Sequence, residues 1–300
     1  MSTTISNLPC EVLSHIIRML PPEELKKVML VSKAWKEMAE EPKLWTWLVV
    51  NISTISDLKK LEFPRLGQIQ TLRMRPSYHC ESRWRQPENL KKLFQSLLAF
   101  PSIKKIHQIE NFYFGSVEPD LLASVFGNLD ELDMRFSRGF SQAQLEHVFS
   151  AIAEKVNPMK KLSLTGLSVA GLSPAVLAAA TTNVKELELY DWSEDQMKAL
   201  LREMVENERP LLKLEIWCNI RDVHNIDPDL VGRGLNKVEE VVVVDGLSLE
   251  LVTAVLKGVV DVEGTSKLKR LWLKMSQNHG KSLDGELVSR AEQKIGKFFC

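Results

Sequence analysis

A short apolar pattern, repeated along the chain, restricts what this sequence can fold into more than any other feature. An apolar residue, two variable positions, an apolar residue, one variable position and a third apolar residue appear as Ile69-Gln-Thr-Leu72-Arg-Met74. A shortened copy follows as Ile103-Lys-Lys-Ile106. Full copies return as Leu129-Asp-Glu-Leu132-Asp-Met134, Met159-Lys-Lys-Leu162-Ser-Leu164 and Val184-Lys-Glu-Leu187-Glu-Leu189. The last three are Leu211-Leu-Lys-Leu214-Glu-Ile216, Val238-Glu-Glu-Val241-Val-Val243 and Leu268-Lys-Arg-Leu271-Trp-Leu273. Their starts lie 34, 26, 30, 25, 27, 27 and 30 residues apart. The alternation closing each unit is strand-like, because successive strand side chains point to opposite faces. The stretches between carry helix starts. Ser141-x-x-Gln144 and Ser193-x-x-Gln196 have the form of capping boxes, opening helices over 144–156 and 196–208. Ser173-Pro174 and Ser248 are further start signals.

A strand–helix unit of this size cannot bury its own apolar face, so the units must stack into a solenoid. Most intervals lie in or near the range of leucine-rich repeats, and Leu211-x-x-Leu214-x-Ile216-x-x-Asn219 carries that pattern's asparagine. The chain over about 65–300 therefore resembles a leucine-rich-repeat solenoid. The expected fold is α/β, a horseshoe with a concave parallel sheet and convex helices. The repeats are degenerate, since Leu167, Trp192 and Gly246 stand where other units would have asparagine, and the register is firmest from residue 129 onward. Residues 76–87 read as an irregular loop, and 274–300 as an end cap with a helix near Asp284–Lys297.

Positions three, five and seven of each unit should share the concave face. Position three runs Thr71, Lys105, Glu131, Lys161, Glu186, Lys213, Glu240, Arg270. Position five runs Arg73, His107, Asp133, Ser163, Glu188, Glu215, Val242, Trp272. Position seven runs Arg75, Ile109, Arg135, Thr165, Tyr190, Trp217, Val244, Lys274. Early rows are basic, and the middle rows mix carboxylates with aromatic and valine residues. Glu186, Glu188, Tyr190, Glu215, Trp217, Val242, Val244 and Trp272 are therefore the expected partner-binding residues. The aromatic side chains would be its anchors, and the acidic rim would suit a basic segment. The competing reading is that the C-terminal cap or the long loop folds over these residues.

The first fifty residues lack the repeat. Leu8-Pro9-Cys10-Glu11-Val12-Leu13 reads as a helix start, with Asn7 as cap and Pro9 and Glu11 suited to the first turn. On a helical projection Leu8, Val12, Leu13, Ile16, Ile17, Met19 and Leu20 cover about half the circumference, wider than an ordinary surface helix requires. Pro21-Pro22 separates this helix from one carrying Leu25, Val28 and Met29. A third begins near Lys33 with Trp35, Met38 and Ala39. So wide an apolar face must meet either the rest of the chain or another body. Leu8-Pro-x-Glu-Val-Leu-x-x-Ile-Ile-x-x-Leu20, Glu24-Leu25-x-x-Val28, Val31-Ser32-Lys33-x-Trp35 and Pro42-x-Leu44-Trp45 together resemble an F-box over residues 7–47. F-boxes are three-helix units that dock on a Skp-type adaptor, which links them to a cullin–RING ubiquitin ligase. Carried over by position, the resemblance assigns Leu8, Pro9, Leu13, Ile16, Ile17, Leu20, Leu25, Val28, Val31 and Trp35 to the adaptor-facing or unit-core set. The sequence does not divide these two subsets. The expected organisation is an F-box at 1–47, a linker and first-strand region at 48–68, and the solenoid with its cap at 69–300.

The resemblances imply the substrate receptor of a Skp–cullin–F-box ligase, a non-catalytic subunit. The alternative is a non-degradative scaffold or inhibitor that uses the repeat surface. Composition agrees with a partner made of protein. Lys plus Arg and Asp plus Glu are each 39, so the net charge is zero and no overall attraction to nucleic acid or an anionic membrane follows. Residues 51–105 hold eleven basic and four acidic side chains, whereas 106–300 hold 22 and 29. The basic stretch Lys59–Lys105, with Tyr78, Trp84 and Phe94 interleaved, lacks the dense cluster that nucleic-acid sites need. Cys10, Cys80, Cys218 and Cys300 are far apart, with neither disulfide-framework nor zinc spacing, which fits reduced thiols in the cytoplasm or nucleus. The start shows no secretory signal pattern, and no membrane span is expected. No nucleotide loop, zinc-hydrolase or nucleophile-elbow motif occurs, and the six histidines are scattered. No metal and no cofactor is expected.

Overall fold

The computed structural model describes residues 8–20, 22–41, 49–52, 70–74, 87–107, 109, 114–115, 117–135, 139–207, 211–217, 226–244, 249–261, 267–273, 284–295 and 297–299. Three short helices open the chain: α1 (Cys10–Arg18), α2 (Pro22–Val28) and α3 (Lys33–Ala39). Strands β1 (Val49–Ile52) and β2 (Thr71–Met74) follow. From there strand and helix alternate. The order is α4 (Pro87–Leu98), β3 (Lys105–His107), α5 (Pro119–Gly127), β4 (Glu131–Asp133), α6 (Gln142–Ala153), β5 (Met159–Thr165), α7 (Pro174–Thr182) and β6 (Val184–Tyr190). Then come α8 (Glu194–Glu206), β7 (Lys213–Trp217), α9 (Pro228–Leu235), β8 (Glu240–Val244), α10 (Leu249–Asp261), β9 (Arg270–Leu273), α11 (Gly285–Lys294) and β10 (Lys297–Phe299).

Among the described residues ten strands form one parallel sheet in sequence order, and each crossover from β2 onward carries one α-helix, with a 3-10 turn at Gly166–Val169 as well between β5 and β6. This is the leucine-rich-repeat horseshoe behind a three-helix head. Its register follows from the apolar pattern. Leu72, Ile106, Leu132, Leu162, Leu187, Leu214, Val241 and Leu271 stand side by side on neighbouring strands. All are buried. A slip of one residue would push a lysine, glutamate or other face residue into that row, so burial fixes the pairing.

Both capping boxes form, with Ser141 accepting from the Gln144 amide and Ser193 from the Gln196 amide. The glutamines are the third residues of α6 and α8, so both helices begin two positions before the expected 144 and 196. Both also end before 156 and 208, the first at Ala153 with Glu154 as its C-cap and the second at Glu206 with Asn207 as its C-cap. Ser173 caps α7 with Pro174 in the first turn, as its sequence implies. The cap expected for α1, Asn7, lies outside the described residues, as do Ser248 and the long loop at 76–86. Pro9 occupies the cap position of α1 without a side-chain bond. The terminal helix is shorter than Asp284–Lys297. Asp284 is its cap, Lys294 its last residue, and Lys297–Phe299 leave it to pair with β9.

Helix C-termini are closed from the following repeat. The buried Asn183 donates its side-chain amide to the carbonyls of Ile152 and Lys155, each at 2.8 Å, behind α6. Lys237 donates to Val205 and Asn207 behind α8, and Lys294 to Val260 behind α10. Cations and amide donors there satisfy orphan carbonyls and oppose the negative end of the helix dipole. Helices α9 and α10 meet at two glycines, and a Cβ on Gly232 would lie 1.7 Å from the Gly258 carbonyl oxygen.

Candidate functional site

The head divides the ten candidate adaptor residues into two sets. Leu13, Ile17, Leu25 and Val28 are buried, and the last three belong to one apolar cluster that continues into the solenoid core. They are therefore core residues. Leu8, Ile16, Leu20 and Trp35 are half-buried, and Pro9 and Val31 are exposed. Three further apolar side chains are on the surface, namely Val12, Met19 at 75% and Leu30 at 86% exposure, beside Val31 at 61%. Val12 and Met19 fall on the apolar half of the α1 projection. Leu30 sits in the turn between α2 and α3, where helical periodicity gives no signal.

The second surface is the exposed sheet face. Its rows are those expected from the repeat. Thr71, Lys105, Glu131, Lys161, Glu186, Lys213, Glu240 and Arg270 are consecutive register partners. So are Asp133, Ser163, Glu188, Glu215, Val242 and Trp272, and likewise Thr165, Tyr190, Trp217 and Val244. Exposure departs from expectation at five residues. Ile109 is buried because β3 ends at His107 and the alternation does not reach it. Val244, the last residue of β8, is only 8% exposed and leaves the face to Val242. Asp133 and Ser163 are buried under their neighbours. Phe94, read as interleaved with basic residues, lies wholly in the core.

Electrostatics depart further. A cation lies beside nearly every carboxylate, on a neighbouring strand or two positions along the same chain segment. Lys105 pairs with Glu131 at 2.6 Å, Lys213 with Glu215 at 3.0 Å and Arg270 with Glu240 at 3.0 Å. Lys161 pairs with Glu188, which also accepts from Ser163 at 2.7 Å. Among the described residues of this face, Glu186 is the exposed carboxylate with no such partner. The acidic rim inferred from residue types is thus neutralised in place. Burial pulls the Lys213 ammonium down, but its hydrogen bond to Glu215 and the nearby Glu240 and Glu186 charges outweigh this and raise its pKa. Burial lowers the His107 imidazole below its ordinary range, against the opposing pull of Glu131 and Asp133.

A connected set of side chains crosses β4 to β7. Asp133 binds Arg135 through two bonds, Nε to Oδ1 at 3.0 Å and NH2 to Oδ2 at 2.6 Å. Arg135 donates NH1 to the Tyr190 hydroxyl at 2.9 Å, with its guanidinium 5.1 Å from that ring's centre. The Tyr190 and Trp217 rings stack at 5.5 Å and 13°. Trp217 donates Nε1 to Glu215 at 2.8 Å. The hydrogen bond to Asp133 raises the Arg135 pKa, and burial raises that of Tyr190, so both stay protonated donors at neutral pH. Sequence reasoning placed Arg135 on the seventh row but not in the site. Its only signal was its lateral alignment with Tyr190. A neighbouring dip lined by His107, Glu131, Asp133, Lys161, Ser163 and Glu188 offers about 50 Å³, enough for water-sized occupants. No group of metal-ligating side chains occurs among the described residues. No helix among them is long and apolar enough to cross a membrane.

The family comparison concerns the head. Residues 5–51 match the family model described as F-box-like. No curated protein matches the chain in sequence. Among solved structures, the leucine-rich-repeat-containing protein LegL7 from Legionella pneumophila is similar at 15% identity, with 96% of each chain covered and a TM-score of 0.46. The chain therefore joins an F-box-like head to a body whose own strand-and-helix geometry is that of a leucine-rich-repeat solenoid.

Proposed function

We propose that this protein is the substrate-recognition subunit of a Skp–cullin–F-box ubiquitin ligase. The head docks the Skp-type adaptor, and the sheet face of the solenoid holds the protein to be ubiquitinated. It works in the cytoplasm or nucleus and performs no bond chemistry itself. It raises the effective concentration of a target lysine near a conjugating enzyme held by the cullin. The observation that carries this reading is the head's exposed apolar surface, Met19, Leu30 and Val31, on a unit whose sequence matches the F-box-like model. Three large apolar side chains on so small a unit mark an interaction site. Their burial, at about 1.5–3 kcal/mol for a full side chain, supplies much of a stable interface.

The structure also selects the right variant for the test. Leu13→Ala would open the head's core and confuse unfolding with lost docking. Met19→Ser, Leu30→Ser, Val31→Ser changes only exposed positions. The wild-type chain should co-purify with adaptor and cullin, and the triple variant should lose both while keeping its melting temperature. A wild-type chain that captures no adaptor refutes the reading. One that captures adaptor without cullin supports the scaffold alternative instead.

A further inference from the structure

Taking the sheet face as the reading surface, its chemistry narrows what it reads. We propose that it selects an uncharged segment of a partner protein, one that lays an apolar side chain against Tyr190, Trp217 and Trp272 over Val242. The ring platform that receives it is locked in place by Arg135.

Charge comes first. A basic segment needs carboxylates to pair with, and Glu188, Glu215 and Glu240 already have Lys161, Lys213 and Arg270. Displacing an in-register cation by one from a partner exchanges like for like, and exposed or half-exposed pairs contribute little net affinity in any case. Among the described residues of the face only Glu186 is on offer. Around the rings an acidic segment fares no better, because Lys161, Lys213 and Arg270 are occupied, and the exposed Arg73 is on β2, four strands from β6. This part of the face is electrically complementary to a neutral partner.

The rings point the same way. The polar atoms of Tyr190 and Trp217 are committed inside the protein, the hydroxyl to Arg135 and the indole Nε1 to Glu215. Tyr190, stacked on Trp217 and lying under the Arg135 guanidinium, has mainly its ring edge left to present, and Trp217 has the carbon surface that Tyr190 does not cover. Trp272 is 44% exposed and stands beside Val242, which stands beside Glu215 on the next strand. With strands about 4.8 Å apart, the Glu215–Val242–Trp272 row spans roughly 10 Å, the width of one apolar side chain and its flanks. Val242 is half-buried and forms the floor between the larger side chains.

Arg135 is a positioning residue. Its guanidinium, fixed by the buried Asp133, meets the Tyr190 hydroxyl, and Tyr190 in turn stacks on Trp217. Aromatic side chains held in one rotamer before binding lose little entropy on binding, which is how a platform becomes an anchor. Lysine at 135 would keep the charge but lose the planar fork that spans Asp133 and Tyr190.

The experiment uses the full chain and two pools of random, end-blocked twelve-residue peptides. One pool combines Leu, Met, Phe and Pro with Ser, Gly and Asn, and the other combines Lys and Arg with the same spacers. Selection should come from the neutral pool, with affinity changing less than twofold between 50 and 500 mM NaCl. Trp217→Ala and Trp272→Ser should each weaken it at least tenfold, and Arg135→Lys about three- to tenfold. Glu186→Gln asks whether the selected segment is basic, and a loss on that change would count against a neutral one. Selection from the basic pool with loss in Trp217→Ala and Glu186→Gln would overturn this inference while sustaining the sheet face as the reader. Binding unaffected by both tryptophan variants, or no selection from either pool, would overturn both.

Discussion

Replacing Gly232 by alanine tests the packing of the solenoid where two helices come closest. The added Cβ would lie 1.7 Å from the Gly258 oxygen, 2.1 Å from its carbonyl carbon and 2.4 Å from its Cα, all of them backbone atoms. Non-bonded carbon atoms settle at about 3.5–4.0 Å, so α9 and α10 must part by roughly 1.5–2 Å. Retreat is blocked on the other side. A Cβ on Gly234 would already meet Leu201 of α8 at 2.8 Å, so α9 is held between α8 and α10. Alanine in place of glycine gains about 0.8–1 kcal/mol of helix propensity. Overpacking costs about 1–3 kcal/mol, and a backbone-on-backbone clash belongs at or above the top of that range. The expected net loss is about 2 kcal/mol, or roughly 3 °C in Tm for a chain of this size. Solenoid stability is carried by neighbouring repeats, so hydrogen exchange should accelerate first in α9 and α10. Gly285→Ala is the control, because nothing lies within 4 Å of a Cβ there and only the propensity gain remains. A Gly232→Ala chain that melts at or above the wild type, or level with Gly285→Ala, would refute this packing.

Two other perturbations probe the repeat junctions and the sheet face. Asn183→Ala removes the donor that serves the carbonyls behind α6 and should cost about 1–3 kcal/mol in denaturant titration, while Asn183→Asp, which turns an acceptor on those carbonyls, should cost more. Equal losses in the two variants would argue that the bond is not what stabilises this junction. His107 supplies a pH dependence, since burial lowers its pKa from 6.5 in the face of Lys105, Arg73, Glu131 and Asp133. The unfolded chain then binds the proton more readily, so the native state's advantage is full above pH 6.5 and is lost as pH falls through the lower folded value. His107→Gln should therefore flatten the fall in Tm between about pH 7.5 and 5.5 relative to wild type. An unchanged slope would mean that this imidazole titrates alike in both states.

The repeat was legible because its signal is redundant. Leu132, Leu162, Leu187 and Leu214 each fall on the same beat, and one missed beat would not move the others. The rows of the sheet face followed at once, since parallel register turns equal repeat positions into neighbours. The ends were less legible. β10 is three residues long and sits where helical periodicity from α11 was still running, so pairing with β9 overrode the local pattern. Exposure was harder again. Val242 and Val244 look equivalent in the sequence, yet the strand ends at 244 and only one of them stays on the face. In the head, Leu13 and Val12 are adjacent on a broad apolar arc. The sequence cannot say which of them α2 and α3 cover, because that depends on helix crossing and not on composition.

Charge was misread for a related physical reason. Counted along the chain, the body has an excess of carboxylates, and counted by row the middle of the sheet does too. Pairing in a parallel sheet runs across the chain at an interval of one repeat, so the partner of Glu131 is Lys105 and that of Glu240 is Arg270. A sum over consecutive residues cannot register cancellation between residues about thirty positions apart. What survives cancellation is what a partner meets. Among the described residues of this face that is the Trp217 and Trp272 rings with the edge of Tyr190 and with Val242, one unpaired carboxylate at Glu186, and the exposed Arg73 at the β2 end. On the head it is Met19, Leu30 and Val31. On the function proposed above, both surfaces would bind through apolar burial, whose strength is nearly independent of salt. Charge would then not separate the two partners, and shape would have to: a helical head for one, a row of rings on a sheet for the other.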